Sequence, residues 1–425
     1  AAAVEMKVSG NWQTAFTFSD NMYNSNGGVE NGANDGSFKA AQRVRVNFDL
    51  VASEYLSGRV QLQVTDGGSN EYNWGTNGVG GPGSNVTARL AYLDWLIPTT
   101  DVLVRMGRQE VATPSYTFGS SVLDDTIDGV MVSAPINDMV ALNLGWLRPV
   151  AELDKWGVEH KPHSSIDLAY LGVDVAGDGF KVTPWGMVGF VGSANREGSF
   201  DMAGDGLTEN TTAYWAGLGG ELTMLDPFKF TADFIYSGND ADHTAERSGW
   251  YAALGAEMKL SVATPFVRGW YASGDDADSK ERGALPEISG AFDASSIYFD
   301  ANGLLSPTID NCSANSTWGV QAGVKDVSFI EDLTHALSVT YFQGTNNTDR
   351  LTTTDWRYRT GDPLDVNYMT TADSAWSIDF LSSYKLYQNL TANLLLSYLI
   401  TDFDESIRPY GADGKVMFDN AFRGT

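Results

Sequence analysis

The sequence predicts an all-β fold: one transmembrane antiparallel β-barrel of 16–18 strands, 18 preferred, spanning residues 1–425 as a single domain. Three observations predict it. Segments with strand-like alternation fill the chain, and no linker divides it. Their connections strictly take turns between short and long. Aromatic residues crowd the segment ends, as in the interfacial girdles of membrane barrels.

The candidate strands run near 4–18, 38–51, 55–65, 86–97, 101–110 and 129–134. They continue near 139–148, 164–175, 179–191, 212–224, 228–237 and 249–260. The last six lie near 262–273, 316–328, 335–344, 375–386, 391–402 and 416–425. Most approach the ~9–11 residues that a tilted membrane strand needs. Short connections include Ala52-Ser53-Glu54, Leu225-Asp226-Pro227 and Tyr387-Gln388-Asn389. Long ones span 19–37, 66–85, 111–128, 149–163, 192–211, 238–248, 274–315, 345–374 and 403–415. Tight turns on the periplasmic side and long loops outside are the asymmetry of outer-membrane barrels. A sandwich has no reason to sort its loops this way, and the fixed period of a propeller is missing.

The stretch RVRVNFDLVASEYLSGRVQLQV, residues 43–64, carries the pattern most clearly. Arg43, Arg45, Asn47 and Asp49 share one face, and Val44, Val46, Phe48 and Leu50 the other. After a break, Arg59, Gln61 and Gln63 alternate with Val60, Leu62 and Val64. A charge on the lipid face at mid-depth costs roughly 2–4 kcal/mol. The arginines must therefore point into a wet lumen and the apolar face toward lipid or a neighbouring subunit. Girdle candidates are Trp12, Phe16, Phe18, Tyr92, Trp95, Trp146, Trp185, Trp215, Trp250, Tyr251, Trp270, Tyr271, Trp318, Tyr384 and Tyr398.

Composition narrows the function. The net charge of −27 argues against a nucleic-acid partner, because phosphate binding needs a basic footprint. No apolar run reaches the ~18 residues of a membrane helix, which leaves strands as the way across. Cys312 is the single cysteine, in a polar stretch, so neither an intrachain disulfide nor a cysteine metal cluster is expected. The opening AAAVEMK has no charged or apolar leader pattern and reads as a mature N-terminus.

One stretch carries a motif. RMGRQEVATPSYTFGSSVLDDTIDGVMV begins at Arg105 as a strand, runs on as the third long loop and re-enters a strand at Gly129. Its Gly107-Arg108-Gln109, Pro114, Tyr116, Phe118-Gly119, Asp124, Asp125 and Asp128 resemble the general trimeric porins of Gram-negative outer membranes. In length and pattern the chain is most similar to the homotrimeric porins of sulfate-reducing bacteria. The resemblance implies a homotrimer in the outer membrane, in contact with its lipid and lipopolysaccharide. It implies passive diffusion of small hydrophilic solutes and ions, with no enzymatic step and no cofactor. It also implies an eyelet, with the third loop folded into the pore. There Tyr116, Asp124, Asp125 and Asp128 would face Arg43, Arg45, Arg59, Arg89 and Arg105 across water, setting up a transverse field. Arg108 has the opposite parity to Arg105. Loop 66–85 matches by position the latch with which such porins grip a neighbour. Two departures stand out: those porins end on an aromatic where this chain ends FDNAFRGT and looks cut short, and the best known have fewer strands.

Other readings compete. A substrate-specific channel for anions such as sulfate or phosphate would use the same arginines. A secreted soluble β-rich binding protein would bury the aromatics. A membrane enzyme would need a nucleophile, and no GxSxG elbow exists. GVGGPG at 78–83 is followed by no helical pattern, so it is no dinucleotide site. His160 and His163 sit near Glu152, Asp154 and Glu159 in a polar loop, which is a thin metal signal. The dense carboxylates Asp275, Asp276 and Asp278, and Asp402, Asp404 and Glu405, suggest structural Ca²⁺ held by oxygen ligands, or a solvated acidic rim. Either way the outer mouth is expected to favour cations at low salt.

Overall fold

The computed structural model describes residues 4–20, 36–65, 72–75, 78–79, 83, 85–150, 165–192, 210–240, 246–277, 282–299, 305, 313–349, 369–404 and 420–425. Strands β1 (Glu5–Asp20), β2 (Ser37–Ser53), β3 (Leu56–Thr65), β4 (Tyr72–Asn73), β5 (Asn85–Leu96) and β6 (Leu103–Ala112) come first. They are followed by β7 (Asp124–Pro135), β8 (Val140–Val150), β9 (Ile166–Gly177), β10 (Phe180–Val191), β11 (Thr211–Leu225) and β12 (Phe228–Asn239). The series ends with β13 (Ser248–Met258), β14 (Thr264–Ala272), β15 (Thr317–Ile330), β16 (Leu333–Gly344), β17 (Ser374–Tyr387), β18 (Leu390–Asp402) and β19 (Ala421–Gly424).

Setting aside the two-residue β4, which pairs beside the upper end of β2, 18 strands form one antiparallel sheet closed on itself. β19 closes it, pairing with β18 at Tyr398↔Phe422 and with β1 at Phe18↔Gly424. Thr425 adds two backbone bonds to Leu395. Closure removes every sheet edge, which a membrane demands because unpaired backbone groups cannot be solvated there. The outward positions are apolar: Leu144, Leu218, Leu254, Ile378 and Leu396 are all exposed.

Each of the 18 expected strands is present, with one change at the third long loop and one at the chain's end. β7 starts at Asp124, so Asp124, Asp125 and Asp128 belong to a strand arm and the loop shrinks to 113–123. The arm exists because β6 and β7 stay paired up to Ala112↔Asp124. The final strand is only Ala421–Gly424, its expected start lying outside the described residues.

The girdle assignment needs correction. Trp12, Trp95, Trp146, Trp250, Tyr271 and Tyr398 do stand exposed. Trp185, Trp215, Tyr251 and Trp270 are buried, with Trp215 at 2% exposure, and Tyr92 lies under Arg105. The cause is a core inside the barrel. Loop 7, residues 273–316, places Leu285, Ile288, Phe292, Ile297, Tyr298 and Phe299 against Tyr251, Trp270 and Phe342. Phe292 and Trp270 meet at 5.0 Å, and Phe299 and Phe342 at 4.9 Å. A lumen of 18 strands is too wide for wall side chains alone to fill. Here a loop fills part of it, and inward aromatics become core.

Candidate pore and its constriction

Strands β2, β3, β5 and β6 form a polar wall. Register sets Arg45 opposite Gln63, Asn47 opposite Gln61, Asp49 opposite Arg59 and Asp94 opposite Arg105. Arg59 clasps Asp49 with both guanidinium arms (2.6 and 3.2 Å), and Arg105 clasps Asp94 in the same way (2.7 and 2.8 Å). Arg105 also lies 4.1 Å over the Tyr92 ring. Arg45 donates to Gln63 at 2.6 Å, and Arg43 donates to Gln13. The β3–β5 ladder slips between Gln61 and Leu62, so one extra residue, Arg89, is left over on β5. It reaches Gln61 at 3.0 Å and the Glu110 carboxylate at 2.7 Å. Half-exposed pairs like these add little stability, about 0–1 kcal/mol each. What they supply is orientation: the planar guanidinium is held at a fixed angle.

Loop 3, residues 113–123, starts from a break at Gly107. Its φ of 119° suits glycine, and a Cβ there would lie 2.3 Å from the Ala91 carbonyl oxygen. Pairing of β6 with β5 ends at Ala91↔Arg108, while pairing with β7 continues. The freed arm carries loop 3 to β10–β14, which lie nearly opposite β3 in the strand order. There Tyr116 and Thr117 give their backbone N–H groups to Asp233 at 2.9 and 2.8 Å. The Tyr116 hydroxyl meets Thr183 Oγ1 at 2.7 Å. Arg268 donates to the Thr117 carbonyl at 2.8 Å and covers the Phe118 ring at 4.2 Å.

Loop 7 runs beside loop 3 inside the lumen. Asp124 N–H donates to Ser289 O at 2.7 Å, Ile288 N–H to Val122 O at 2.9 Å and Ala291 N–H to Ser120 O at 2.8 Å. A Cβ on Gly119 would fall 1.6 Å from the Ala291 oxygen, so only glycine permits this approach. Loop 7 is pinned to the wall through Ser295 to Ser377 (2.7 Å), the Ala294 carbonyl to Gln321 and Thr340 (both 2.7 Å), and Arg423 to the Ser296 carbonyl.

The expected site residues therefore part company. Arg43, Arg45, Arg59, Arg89 and Arg105 share one wall. Tyr116 is bound to the far wall. Asp124 lies within electrostatic reach of Arg89 and Glu110. Asp125 accepts from Ser289 at 3.0 Å, and Asp128 pairs with Arg108 at 3.3 Å, so neither carboxylate is engaged with the five arginines. Asp275 is buried and bound to Arg282 (3.2 Å) and the Ala284 N–H (3.2 Å). Asp276 is exposed, and Asp278 lies outside the described residues, as do Glu405, His160, His163, His243 and Cys312. Among the described residues no cluster of three or more His, Cys, Asp or Glu could hold a metal. His335 stacks on Phe380. Sequence reasoning missed Glu110, Asp233 and Arg268 as site residues. It also missed loop 7, although so many apolar residues in a 40-odd-residue loop were a signal of packing.

No family model and no curated protein matches the sequence. Solved structures of Pseudomonas aeruginosa outer-membrane porins do match in fold. OpdQ is 13% identical with a TM-score of 0.55, over 99% of this chain and 95% of that one. OprD is 12% identical with a TM-score of 0.54, over 99% and 93%. OccK2 (OpdF), solved in complex with glucuronate, is 11% identical with a TM-score of 0.55, over 99% and 96%. At this identity the likeness establishes the fold: a closed 18-stranded antiparallel barrel of the OprD and Occ kind.

Proposed function

We propose that the chain is an outer-membrane channel for passive diffusion of small hydrophilic solutes and ions. One observation carries the reading: a closed barrel holds a wall of oriented arginines in a lumen narrowed by an inward loop. Fixed charges at a constriction sort solutes without tight binding, which fast diffusion needs. The function requires neither a chemical step nor a cofactor. Assembly as a homotrimer, and contact with outer-membrane lipid and lipopolysaccharide, belong to the same proposal. An anion-selective channel is the second reading. Among the described residues, the wall pairs Arg59, Arg89 and Arg105 with Asp49, Glu110 and Asp94 and sets Arg45 on a glutamine, and OccK2, a structural neighbour, was solved with the carboxylate glucuronate.

Single-channel recording in a planar bilayer tests both. Stepwise conductance in triplets supports an open trimeric pore. Under a salt gradient, an anion-directed reversal potential favours the second reading. Detergent-purified, folded protein that opens no channels sinks the proposal.

A further inference from the structure

We infer that Asp233 is the positioning residue that sets the width of the pore, by tethering the tip of loop 3 to the wall opposite the arginines. The inference rests on the channel reading above. Asp233 is 5% exposed, near the middle of β12. Among the described residues no cation pairs with it. Its two oxygens instead accept the Tyr116 and Thr117 N–H groups, one each, from 116–117 positions away in sequence. A carboxylate is costly to bury, and hydrogen bonds to an ionised acceptor are the strong kind. The wall is shaped for the tip as well. A Cβ on Gly219 would lie 2.7 Å from the Tyr116 ring and 2.8 Å from Asp233 Oδ1. A Cβ on Gly255 would lie 2.5 Å from Thr231 Oγ1 and 3.2 Å from the Thr117 methyl. Register places Gly219 opposite Asp233, and sets Thr231, Gly255 and Arg268 in one row across three strands. Thr117 Oγ1 reaches Thr231 Oγ1 at 3.1 Å, and Arg268 takes the Thr117 carbonyl. The wall thus meets both the donors and the acceptor of the loop tip, and the strongest acceptor is Asp233.

The tether predicts a dynamic signature. In Asp233→Ala, losing two charge-assisted bonds raises the undocked population of the tip roughly 100-fold. Bilayer traces should show brief steps to a larger conductance that wild-type traces lack. The second arm restores the link covalently: Thr117→Cys with Asp233→Cys, in a Cys312→Ser background. Oxidised, this channel should be quiet; reduced, it should flicker like Asp233→Ala. If Asp233→Ala does not fold, the cysteine pair carries the test alone. Asp233→Ala traces as quiet as wild type, or flicker unchanged by oxidation of the pair, would overturn the tether while leaving the channel intact. A wild type without steady channels would instead remove the channel reading and this inference with it.

Discussion

Glu110→Gln isolates the charge balance of the pore. The Glu110 side chain is 61% exposed and sits 2.7 Å from Arg89. It masks that arginine from passing ions. An exposed pair of this kind is worth about 0.2–1 kcal/mol, so the fold should survive its loss. The electrostatic effect on an ion is of similar size, but it reads out directly as selectivity. One unit charge about 6 Å from the ion path contributes about 0.7 kcal/mol in water. Screening at physiological salt lowers this to about 0.3 kcal/mol. Anions then gain, and cations lose, a factor of about 1.7 to 3, and the anion-to-cation ratio rises about 3- to 10-fold. Across a tenfold salt gradient the reversal potential should move about 20–40 mV in the anion direction. Arg89→Gln should move it by a comparable amount the other way. Shifts of the same sign in both variants, or no shift in either, would refute the placement of this pair beside the ion path.

The inward loops and the lipid face give further tests. Phe118→Ala removes a buried ring packed 4.8 Å from Phe292 and 5.3 Å from Trp270. It should cost about 3–5 kcal/mol, read as a lower thermal unfolding midpoint in detergent; an unchanged midpoint would mean that the inner core does not stabilise the barrel. Gly119→Val cannot seat its side chain against the Ala291 carbonyl, so loops 3 and 7 should separate, and larger sugars should enter in liposome swelling. Leu254 is 70% exposed at the middle of β13. Leu254→Arg should destabilise the barrel by roughly 2–4 kcal/mol in vesicle unfolding, whereas a neutral result would place that face in water.

The strands were legible because lipid outside and water inside enforce alternation, and because turns on the two sides of a membrane differ in length. The arginine row was legible for the same reason: Arg43, Arg45 and Arg59 share a parity that lipid would punish. The acids were not. Asp49 and Asp94 lie on the wall strands themselves, and parity says that two residues share a face without saying that they pair. Glu110 escaped because pairing with β5 ends at Arg108, just past Gly107 at positive φ, so alternation counted from Arg105 misplaces the residues beyond it. Loop 7 escaped because barrel logic assigns long loops to the outside. A long connection rich in Leu285, Ile288, Phe292, Ile297, Tyr298 and Phe299 has to find a core, and within a wide barrel the lumen supplies one. The four buried aromatics that resemble girdle residues in sequence follow from the same fact.

The net charge of −27 and the arginine wall pull selectivity in opposite directions, and distance decides between them. Exposed charges separated by more than about 8 Å are largely screened at physiological salt. Acidic residues farther than that from the constriction therefore have little influence on it at physiological salt. At the constriction the nearest fixed charges are those of the wall and the loop arm. Asp125 and Asp128 are engaged by Ser289 and Arg108, while Arg59, Arg89 and Arg105 are each offset by one carboxylate. Arg45 is held by the Gln63 amide, which orients a guanidinium without cancelling its charge. Among the described residues the residual positive charge of the row then lies with Arg45, which sits between Arg43 and Arg89. Lowering the salt should strengthen the pull of the overall acidic excess as the screening length grows. A channel whose anion preference fades, and then reverses, as ionic strength falls is what this division between a remote acidic excess and a basic constriction requires.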